Sequence, residues 1–389
     1  MNEVPRTFSL QPLPAWRRAV LKVGSNLLTA GTRELSSDHV RGLAEFITAS
    51  RAAGREIVLV SSGAVAAGRA RVAIDAAAGE LVLRQALAAL GQTRMIALWQ
   101  SLMTAPVAQV LLAHDDLRNR RRYLNARNTL LELLRLRAVP VVNENDTVAV
   151  EELKLGDNDN LAAIVAALVD ADLLLIASDI DGLYSAHPAL HAQAMPVEQV
   201  AAVTAEILTM AGEAGSAHGT GGMHTKLQAA MKAANAGIAT VLFNGADAQT
   251  VALLGAGQFR GTCFAASSSR LAARKYWLRH APGASGVIRI DAGAARALIG
   301  GKSLLPGGIV GIDGEFARGD IVNIEIANAD AAADGPRVVA RGLTQYNANE
   351  VRRVAGRQSR EIESILGFSY GDTVVRRDDL VTLEEAVIQ

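Results

Sequence analysis

Two segments of the chain pair a lysine with glycines in a way that can hold phosphate groups. Lys22 lies at the end of a predicted strand, two residues before Gly24. An ammonium there can reach a phosphate as a point charge, and the glycine lets backbone N–H groups approach. Thr220-Gly-Gly-Met-His-Thr-Lys226 opens a predicted helix, whose free N–H groups and dipole favour anions. These features predict a phosphate cradle; the alternatives are a solvated lysine and a glycine-rich surface loop.

Two further segments concentrate amide and carboxylate side chains. Asn143-Glu-Asn-Asp146 follows a predicted buried strand and can hold an ammonium group and a carboxylate together. Lys154-Leu-Gly-Asp-Asn-Asp-Asn160 precedes a predicted helix that begins at Leu161. A polar turn would explain the first segment, and a helix N-cap at Asp157 or Asn158 would explain part of the second. Four consecutive Asx residues exceed what capping requires, so we interpret these segments as an amino-acid site.

Together the four segments predict phosphoryl transfer from ATP to a carboxylate. Two lysines and glycine N–H groups can neutralise the phosphates of ATP, while Mg²⁺ bridges its β and γ phosphates. A carboxylate acceptor is ionised at neutral pH, so it attacks phosphorus without a general base. Positioning and charge neutralisation then supply most of the catalysis. No protein ligand for the metal is predicted, because the phosphates would hold magnesium.

Other catalytic signatures are incomplete. Gly300-Gly-Lys-Ser303 resembles the end of a Walker A loop, but Arg296 stands where the first glycine belongs. The seven His and the single Cys263 show no metal-ligand spacing, and one cysteine cannot form an intramolecular disulfide. We interpret Cys263 as a buried thiol and the side chain of His224 as a bystander.

The composition is typical of a globular helix-and-sheet protein. Half of the residues are hydrophobic and 4% are aromatic. The 39 Lys and Arg balance the 39 Asp and Glu, so no overall charge attracts nucleic acid or a membrane. Residues 1–17 have no apolar core of a secretory signal, and no segment approaches the roughly 20 apolar residues of a membrane span. We expect a cytoplasmic protein that does not contact a membrane.

Apolar runs predict the elements that position these side chains. Strands without polar alternation, such as Arg18–Val23, are separated by helical stretches. This pattern is typical of an α/β fold with a mainly parallel sheet sandwiched between helices. Ligands of such sheets bind beyond the carboxyl ends of the strands. Residues with unusual chemistry follow those ends: Gly24, Ser62, Asn143, Ser178 and Asp179.

The pattern changes near residue 265, where short strands separated by glycine-rich turns predict a small β-rich domain. We predict a leader over 1–17, a catalytic domain over 18–265, a linker over 266–283, the β-rich domain over 284–380 and a tail over 381–389.

In order and type, the four segments resemble those of glutamate 5-kinases, members of the amino acid kinase family. The resemblance extends from about Arg18 to Gln389 and includes Val60-Ser-Ser-Gly-Ala64, Gly91-Gln92 and Leu124-Asn-Ala-Arg-Asn128. Ser303-Leu-Leu-Pro-Gly-Gly-Ile309 and Gly314-Glu-Phe-Ala-Arg-Gly-Asp320 resemble a PUA domain, a β-rich pseudo-barrel.

The resemblance implies a role for each residue. Lys22 and Lys226 would contact the transferring phosphoryl group, with Asp159 organising the two ammonium groups. Glutamate would be bound by Ser62, Asp146 and Asn158, with Asn143 and Asn145 close by. The implied ATP site comprises Lys22, Gly24, Ser178, Asp179, Thr220, Gly221, Gly222, Met223, His224, Thr225 and Lys226.

The resemblance also implies the activity and its partners. L-Glutamate and ATP would react, with Mg²⁺, to form glutamyl 5-phosphate, the first intermediate of proline biosynthesis. Glutamyl phosphate reductase would consume that product, and proline would inhibit the enzyme. A homo-oligomer, either a dimer or a tetramer, is also implied.

Two alternatives stay open. A related kinase, such as acetylglutamate kinase, would lack the PUA-like segments and the pattern over residues 143–160. RNA binding by the second domain would require a basic surface. Residues 284–389 instead carry about 12 Lys and Arg against about 15 Asp and Glu, so this alternative is disfavoured.

Overall fold

The computed structural model describes residues 7–32, 34–72, 81–113, 116–117, 119–148, 158–191, 193–210, 222–267, 278, 284–327 and 337–383. The chain divides into two compact units after Arg270. The predicted linker and tail lie largely outside the described residues, whereas residues 7–17 of the predicted leader are described, and Gln11–Pro12 pairs with Gln258–Phe259 as a short antiparallel ladder.

The first unit contains twelve strands and nine helices among its described residues. Its strands are β1 Gln11–Pro12, β2 Arg18–Val23, β3 Glu56–Ser61, β4 Val107–Leu112, β5 Val139–Glu144, β6 Leu173–Ser178, β7 Leu183–Tyr184, β8 Pro196–Val197, β9 Gln199–Val200, β10 Ala239–Asn244, β11 Gln258–Phe259 and β12 Thr262–Phe264. Its helices are α1 Ser25–Thr29, α2 Arg41–Ala52, α3 Ala64–Arg69, α4 Leu81–Leu102, α5 Arg120–Arg135, α6 Asn158–Leu168, α7 Ala205–Met210, α8 Met223–Asn235 and α9 Ala248–Gly255.

An eight-stranded sheet with the order β4-β5-β3-β2-β6-β10-β12-β9 forms the centre of this unit. The first six strands in that order are parallel to their neighbours, and β12 runs antiparallel to β10. Alternate residues of one strand enter opposite cores: Val20 packs against α6 and α8, whereas Leu21 packs against α2, α4 and α9. Because both faces are buried, the strands read as continuous apolar runs. The predicted α/β class is confirmed.

Two glycines allow α3 and α4 to pack at backbone contact. A Cβ atom on Gly91 would lie 1.9 Å from the carbonyl oxygen of Ala64, and one on Gly68 would lie 1.9 Å from that of Leu87. No larger residue fits either position without moving a helix. This packing fixes α4 beside the segment that follows β3.

The second unit contains a five-stranded sheet with the order β14-β13-β15-β16-β17. Its strands are β13 Gly286–Ile290, β14 Ile309–Gly314, β15 Ile321–Ile326, β16 Arg337–Thr344 and β17 Val375–Thr382, and its helices are α10 Ala292–Ile299, α11 Ala348–Val354 and α12 Ile362–Leu366. Ile288, Ile324 and Tyr346 belong to its own hydrophobic core. The sequence pattern did not predict β17, because this edge strand carries four charged residues and is held by backbone pairing to β16.

Candidate active site

The carboxyl ends of the parallel strands bring the predicted site residues to one edge of the sheet. Val23 of β2 pairs with Ser61 of β3 and with Ala177 of β6, so these three strands end at one level. Ser178 at the end of β6 pairs with Asn244 of β10. The starts of α6 and α8 bring Asn158, Asp159 and Lys226 to the same region, and Asn143 lies near the end of β5.

Lys22, Asp159 and Lys226 form a buried ionic triad. The Nζ atom of Lys22 lies 2.6 Å from Oδ1 of Asp159, and that of Lys226 lies 3.3 Å from Oδ2. Thr225 donates its hydroxyl hydrogen to the same Oδ2 atom at 3.0 Å. Asp159 has no exposed surface and each lysine is 6% exposed. Within these contacts two ammonium groups meet one carboxylate, which leaves one uncompensated positive charge.

The surroundings keep Asp159 ionised. Burial by itself would raise the pKa of its carboxyl group, but the charges of Lys22 and Lys226, with hydrogen bonds from Lys22 and Thr225, lower that pKa below its ordinary value. A carboxylate with two cationic neighbours is stabilised in its charged form. Asp159 therefore acts as a fixed negative charge between the lysines.

Asn158, next to the triad, begins a second group of contacts. Helix α6 starts at Asn158, so the prediction of a start at Leu161 was wrong by three residues. The Nδ2 group of Asn158 donates to Ser62 Oγ at 2.7 Å and to Asn143 Oδ1 at 2.9 Å. Asn143 in turn donates from Nδ2 to Oε1 of Gln92 at 3.0 Å. The structure thus brings together three of the five residues predicted to bind glutamate or lie close to it.

The other two of these residues, Asn145 and Asp146, line a cavity of about 160 Å³. Asn145 accepts a hydrogen bond from Thr147 at 2.6 Å, and Asp146 borders the same cavity. Gln92 and Glu144 also line it. Because Gln92 belongs to both, the cavity adjoins the amide group that includes Asn143; Ala88, Ala89 and Leu111 complete much of its lining.

Ser178 and Asp179 follow β6, as predicted, and Asn26 joins them. Asn26 donates to Asp179 at 2.7 Å, and Ser178 donates to the other carboxylate oxygen at 3.2 Å. Partial burial would raise the pKa of Asp179, but these hydrogen bonds and the charge of Lys226 lower it. Gly24 packs close to the first lysine: a Cβ atom there would lie 3.7 Å from Nζ of Lys22.

Helix α8 begins with the described part of the second glycine segment. Gly222 is its N-cap, and Met223 to Lys226 form its first turn. His224 is exposed, and its Nε2 atom lies 3.0 Å from Nε2 of Gln228, which is not part of the triad. Thr220 and Gly221, like Lys154 to Asp157, lie outside the described residues.

Sequence reasoning missed two polar residues of this region. Asn26 lies two positions after Gly24, and a polar side chain this close to Lys22 could have been predicted to belong to the site. Gln92 was noted only as part of the family resemblance and given no role.

Metal-ligand clusters and membrane-spanning helices are both absent from the described residues. The described part of the chain has no cluster of three or more His, Cys, Asp or Glu side chains that could hold a metal ion. Among the same residues, no helix combines the length and apolarity that crossing a membrane requires.

Comparison with known proteins places this arrangement in a family. A family model described as the amino acid kinase family matches residues 17–244, and one described as the PUA domain matches residues 286–366. The glutamate 5-kinase of Xanthomonas axonopodis pv. citri is 62% identical over 367 residues, which cover 94% of this chain and 100% of that protein. The glutamate 5-kinase of Xylella fastidiosa (strain 9a5c) is 58% identical over 381 residues, covering 97% and 98% of the two chains.

A solved structure gives a weaker match. The UMP kinase from Bacillus anthracis superposes with a TM-score of 0.45 at 14% identity, over 65% of this chain and 97% of that one. Likeness at this level adds nothing to the family assignment.

Proposed function

Since the chain belongs to the glutamate 5-kinase family of amino acid kinases, we propose that it transfers the γ-phosphoryl group of ATP to the side-chain carboxylate of L-glutamate. A carboxylate oxygen attacks the γ phosphorus, the bond to the β–γ bridging oxygen breaks, and ADP leaves. The products are ADP and glutamyl 5-phosphate, and no proton is transferred.

The buried triad is the observation that carries this proposal. Two ammonium groups face a single carboxylate, and an unpaired buried charge is costly unless a counter-ion arrives. The reacting phosphoryl group spreads negative charge over its equatorial oxygens as it passes between two oxygen atoms. Lys22 and Lys226 would stabilise that charge from preorganised positions, which is the largest contribution available to this reaction.

The amide group beside the triad would bind the acceptor. Both N–H groups of Asn158 are used within the protein, so its carbonyl oxygen is left to accept from an ammonium group. Ser62 accepts from Asn158 and can donate its own hydrogen to a carboxylate. Asn145 and Asp146 would hold the rest of the amino acid at the adjoining cavity.

ATP would lie along the strand ends, against Gly24, Ser178, Asp179 and the start of α8. Each oxygen of Asp159 already contacts a lysine ammonium, and Oδ2 also accepts a hydrogen bond from Thr225. The phosphates of ATP offer the hard oxygen ligands that Mg²⁺ prefers. Magnesium would therefore be held mainly by the nucleotide and would neutralise phosphate charge.

We also propose a biological setting for this reaction. We place the reaction in the cytoplasm as the first step of proline biosynthesis, with proline as a feedback inhibitor and glutamyl phosphate reductase as the next enzyme. The enzyme would act as a homo-oligomer, a dimer or a tetramer.

Trapping the product tests the reaction. The purified chain is incubated with ATP, Mg²⁺ and hydroxylamine, with glutamate, acetylglutamate, aspartate or UMP as acceptor. Hydroxylamine converts an acyl phosphate to a coloured hydroxamate. We expect hydroxamate with glutamate alone, matched by ADP release. Hydroxamate with another acceptor instead would contradict the substrate, and no turnover with any acceptor would contradict the activity.

A further inference from the structure

We propose that Gln92 is a positioning residue for the acceptor site, which orients the amides of Asn143 and Asn158 toward the bound amino acid. This inference rests on the proposed function, which assigns those amides to the acceptor. Gln92 lies on α4, is 7% exposed, and has no part in the phosphoryl-transfer chemistry described above.

Gln92 begins a chain of three amides that ends at Ser62. Asn143 donates to Gln92 at 3.0 Å, and Asn158 donates to Asn143 at 2.9 Å and to Ser62 at 2.7 Å. Asn143 is 3% exposed. Since water has little access to Gln92 and Asn143, their hydrogen bond is stronger than an exposed one and its loss is not easily replaced.

The direction of the chain decides what the acceptor meets. An amide has a donating and an accepting end, so each hydrogen bond fixes the orientation of the next amide. Because Gln92 presents its oxygen to Asn143, Asn143 presents its own oxygen to Asn158. Asn158 must then direct its Nδ2 group toward Asn143 and its carbonyl oxygen away from it. Without the oxygen of Gln92, Asn143 is free to turn over, and the acceptor-facing groups lose their fixed polarity.

Within the described part of the chain, one of the two amide atoms of Gln92 makes a contact and the other does not. The Nε2 atom of Gln92 is buried and has no hydrogen-bond partner among the described residues. A buried donor without a partner destabilises a fold; an apolar side chain of the same length would remove that donor but would take the acceptor away from Nδ2 of Asn143. The contact that Gln92 does make is the one to Asn143, so we assign its role to that contact.

The residue before Gln92 explains how it reaches Asn143. Gly91 lets α4 approach α3 to backbone contact, where a Cβ atom would lie 1.9 Å from the oxygen of Ala64. Helix α3 follows Ser62 directly after Gly63. In the Gly91-Gln92 pair, Gly91 therefore makes the close contact between the helices and Gln92 makes the polar contact to Asn143. This gives each residue of the pair a role, although neither takes part in the phosphoryl transfer itself.

Steady-state kinetics of the full chain test this role. Gln92→Met removes both amide atoms and keeps the side-chain length. We expect the KM for glutamate to rise about tenfold, as loss of one buried hydrogen bond of about 1.4 kcal/mol would give. The KM for ATP should stay within about twofold. Equal changes in both KM values, or no change in the KM for glutamate, would overturn the proposal.

Gln100→Met is the matched control. Gln100 lies on the same helix, but its amide bonds the backbone of Met103, Ala105 and Val107 at the helix end. Its loss should lower the melting temperature and leave the KM for glutamate unchanged. If Gln92→Met does not fold, Gln92→Ser replaces it, because serine is too short to reach Asn143.

A double-mutant cycle shows whether Gln92 acts through Asn143. In the Asn143→Ala background, Gln92→Met should add little to the KM for glutamate, since the contact is already lost. Fully additive effects would contradict the proposal. If the wild-type chain phosphorylates a different amino acid, the proposed substrate fails, and the same comparisons are made on the KM of that acceptor.

Discussion

Asp159 joins side chains from three elements that are distant in the sequence. Lys22 comes from β2, Asp159 from α6 and Lys226 from α8, and the two ammonium groups converge because one buried carboxylate lies between them. Like charges this close would otherwise repel strongly in a poorly solvated site. The carboxylate thus positions both lysines without cancelling their combined charge, which is the property that a site for a phosphoryl group needs.

Lys226→Met is predicted to reduce kcat at least about 100-fold, because removal of one preorganised charge-stabilising group has that order of effect. The fold should persist, since methionine fills the same space. Lys232→Met is the control: Lys232 lies on the same helix but bonds Asn160 at 2.7 Å. It should keep kcat near the wild-type value. Turnover of Lys226→Met close to that of the control would contradict the role of Lys226.

Asp159 should contribute stability that depends on pH. Its folded-state pKa lies below the ordinary value, so the unfolded chain binds its proton first as the pH falls. The contribution is therefore complete above about pH 4, the ordinary pKa of aspartate, and is lost progressively as the pH falls toward the lowered folded-state pKa.

Urea unfolding of the wild type and of Asp159→Asn, from pH 7 to pH 3 at constant ionic strength, measures this contribution. The difference in the free energy of unfolding between them should be largest near pH 7 and should shrink below about pH 4. A difference that does not vary with pH would show that the folded-state pKa of Asp159 is not lowered.

At the scale of elements, the site depends on where strands end and helices begin. Parallel strands place Lys22, Ser62 and Ser178 on one edge because their carboxyl ends coincide. The starts of α6 and α8 then deliver Asn158, Asp159 and Lys226. Helix α4 adds Gln92 from one face of the sheet, and the glycine contacts with α3 determine how closely it approaches.

Gly91→Ala is predicted to destabilise the first unit by about 2 kcal/mol or more, because the new methyl group forces α3 and α4 apart. The displacement of Gln92 should also raise the KM for glutamate. Gly255→Ala is the control, since a Cβ atom there meets no atom within 4 Å. Chemical denaturation measures both variants. Equal stability of the two variants would contradict tight packing at Gly91.

At the scale of the whole molecule, the described site contacts all lie in the first unit. The triad, the amide chain and the cavity draw on residues 22 to 226, whereas the second unit has its own sheet and its own core. The mildly acidic second unit gives no electrostatic reason to assign it a nucleic-acid ligand.

A chain ended after residue 270 is therefore predicted to keep kcat and both KM values within about threefold of the full chain. Steady-state kinetics at equal enzyme concentration check this, and the melting temperature shows whether the shortened chain is folded. A folded, truncated enzyme with turnover reduced by more than about tenfold would show that the second unit contributes to the site.

Much of the architecture follows from local sequence pattern. The apolar run Arg18–Val23 predicted β2 with its observed bounds, because burial of both faces leaves a clear signal within six residues. The lysine and Asx segments, followed residue by residue through the family resemblance, led to Lys22, Asp159 and Lys226. Side-chain chemistry and strand ends were sufficient for this, since the ends of parallel strands lie together in any such sheet.

The tertiary structure decided the contacts between side chains of distant elements. The packing supplies the distances by which Asp159 contacts both lysines, and it alone shows that Gln92, 51 residues before Asn143, contacts its amide. Nothing local marks such a pair, because the contact depends on how closely α4 approaches the sheet. A sequence specifies side-chain types and element boundaries through near neighbours, whereas distances between elements depend on the packing of the whole core.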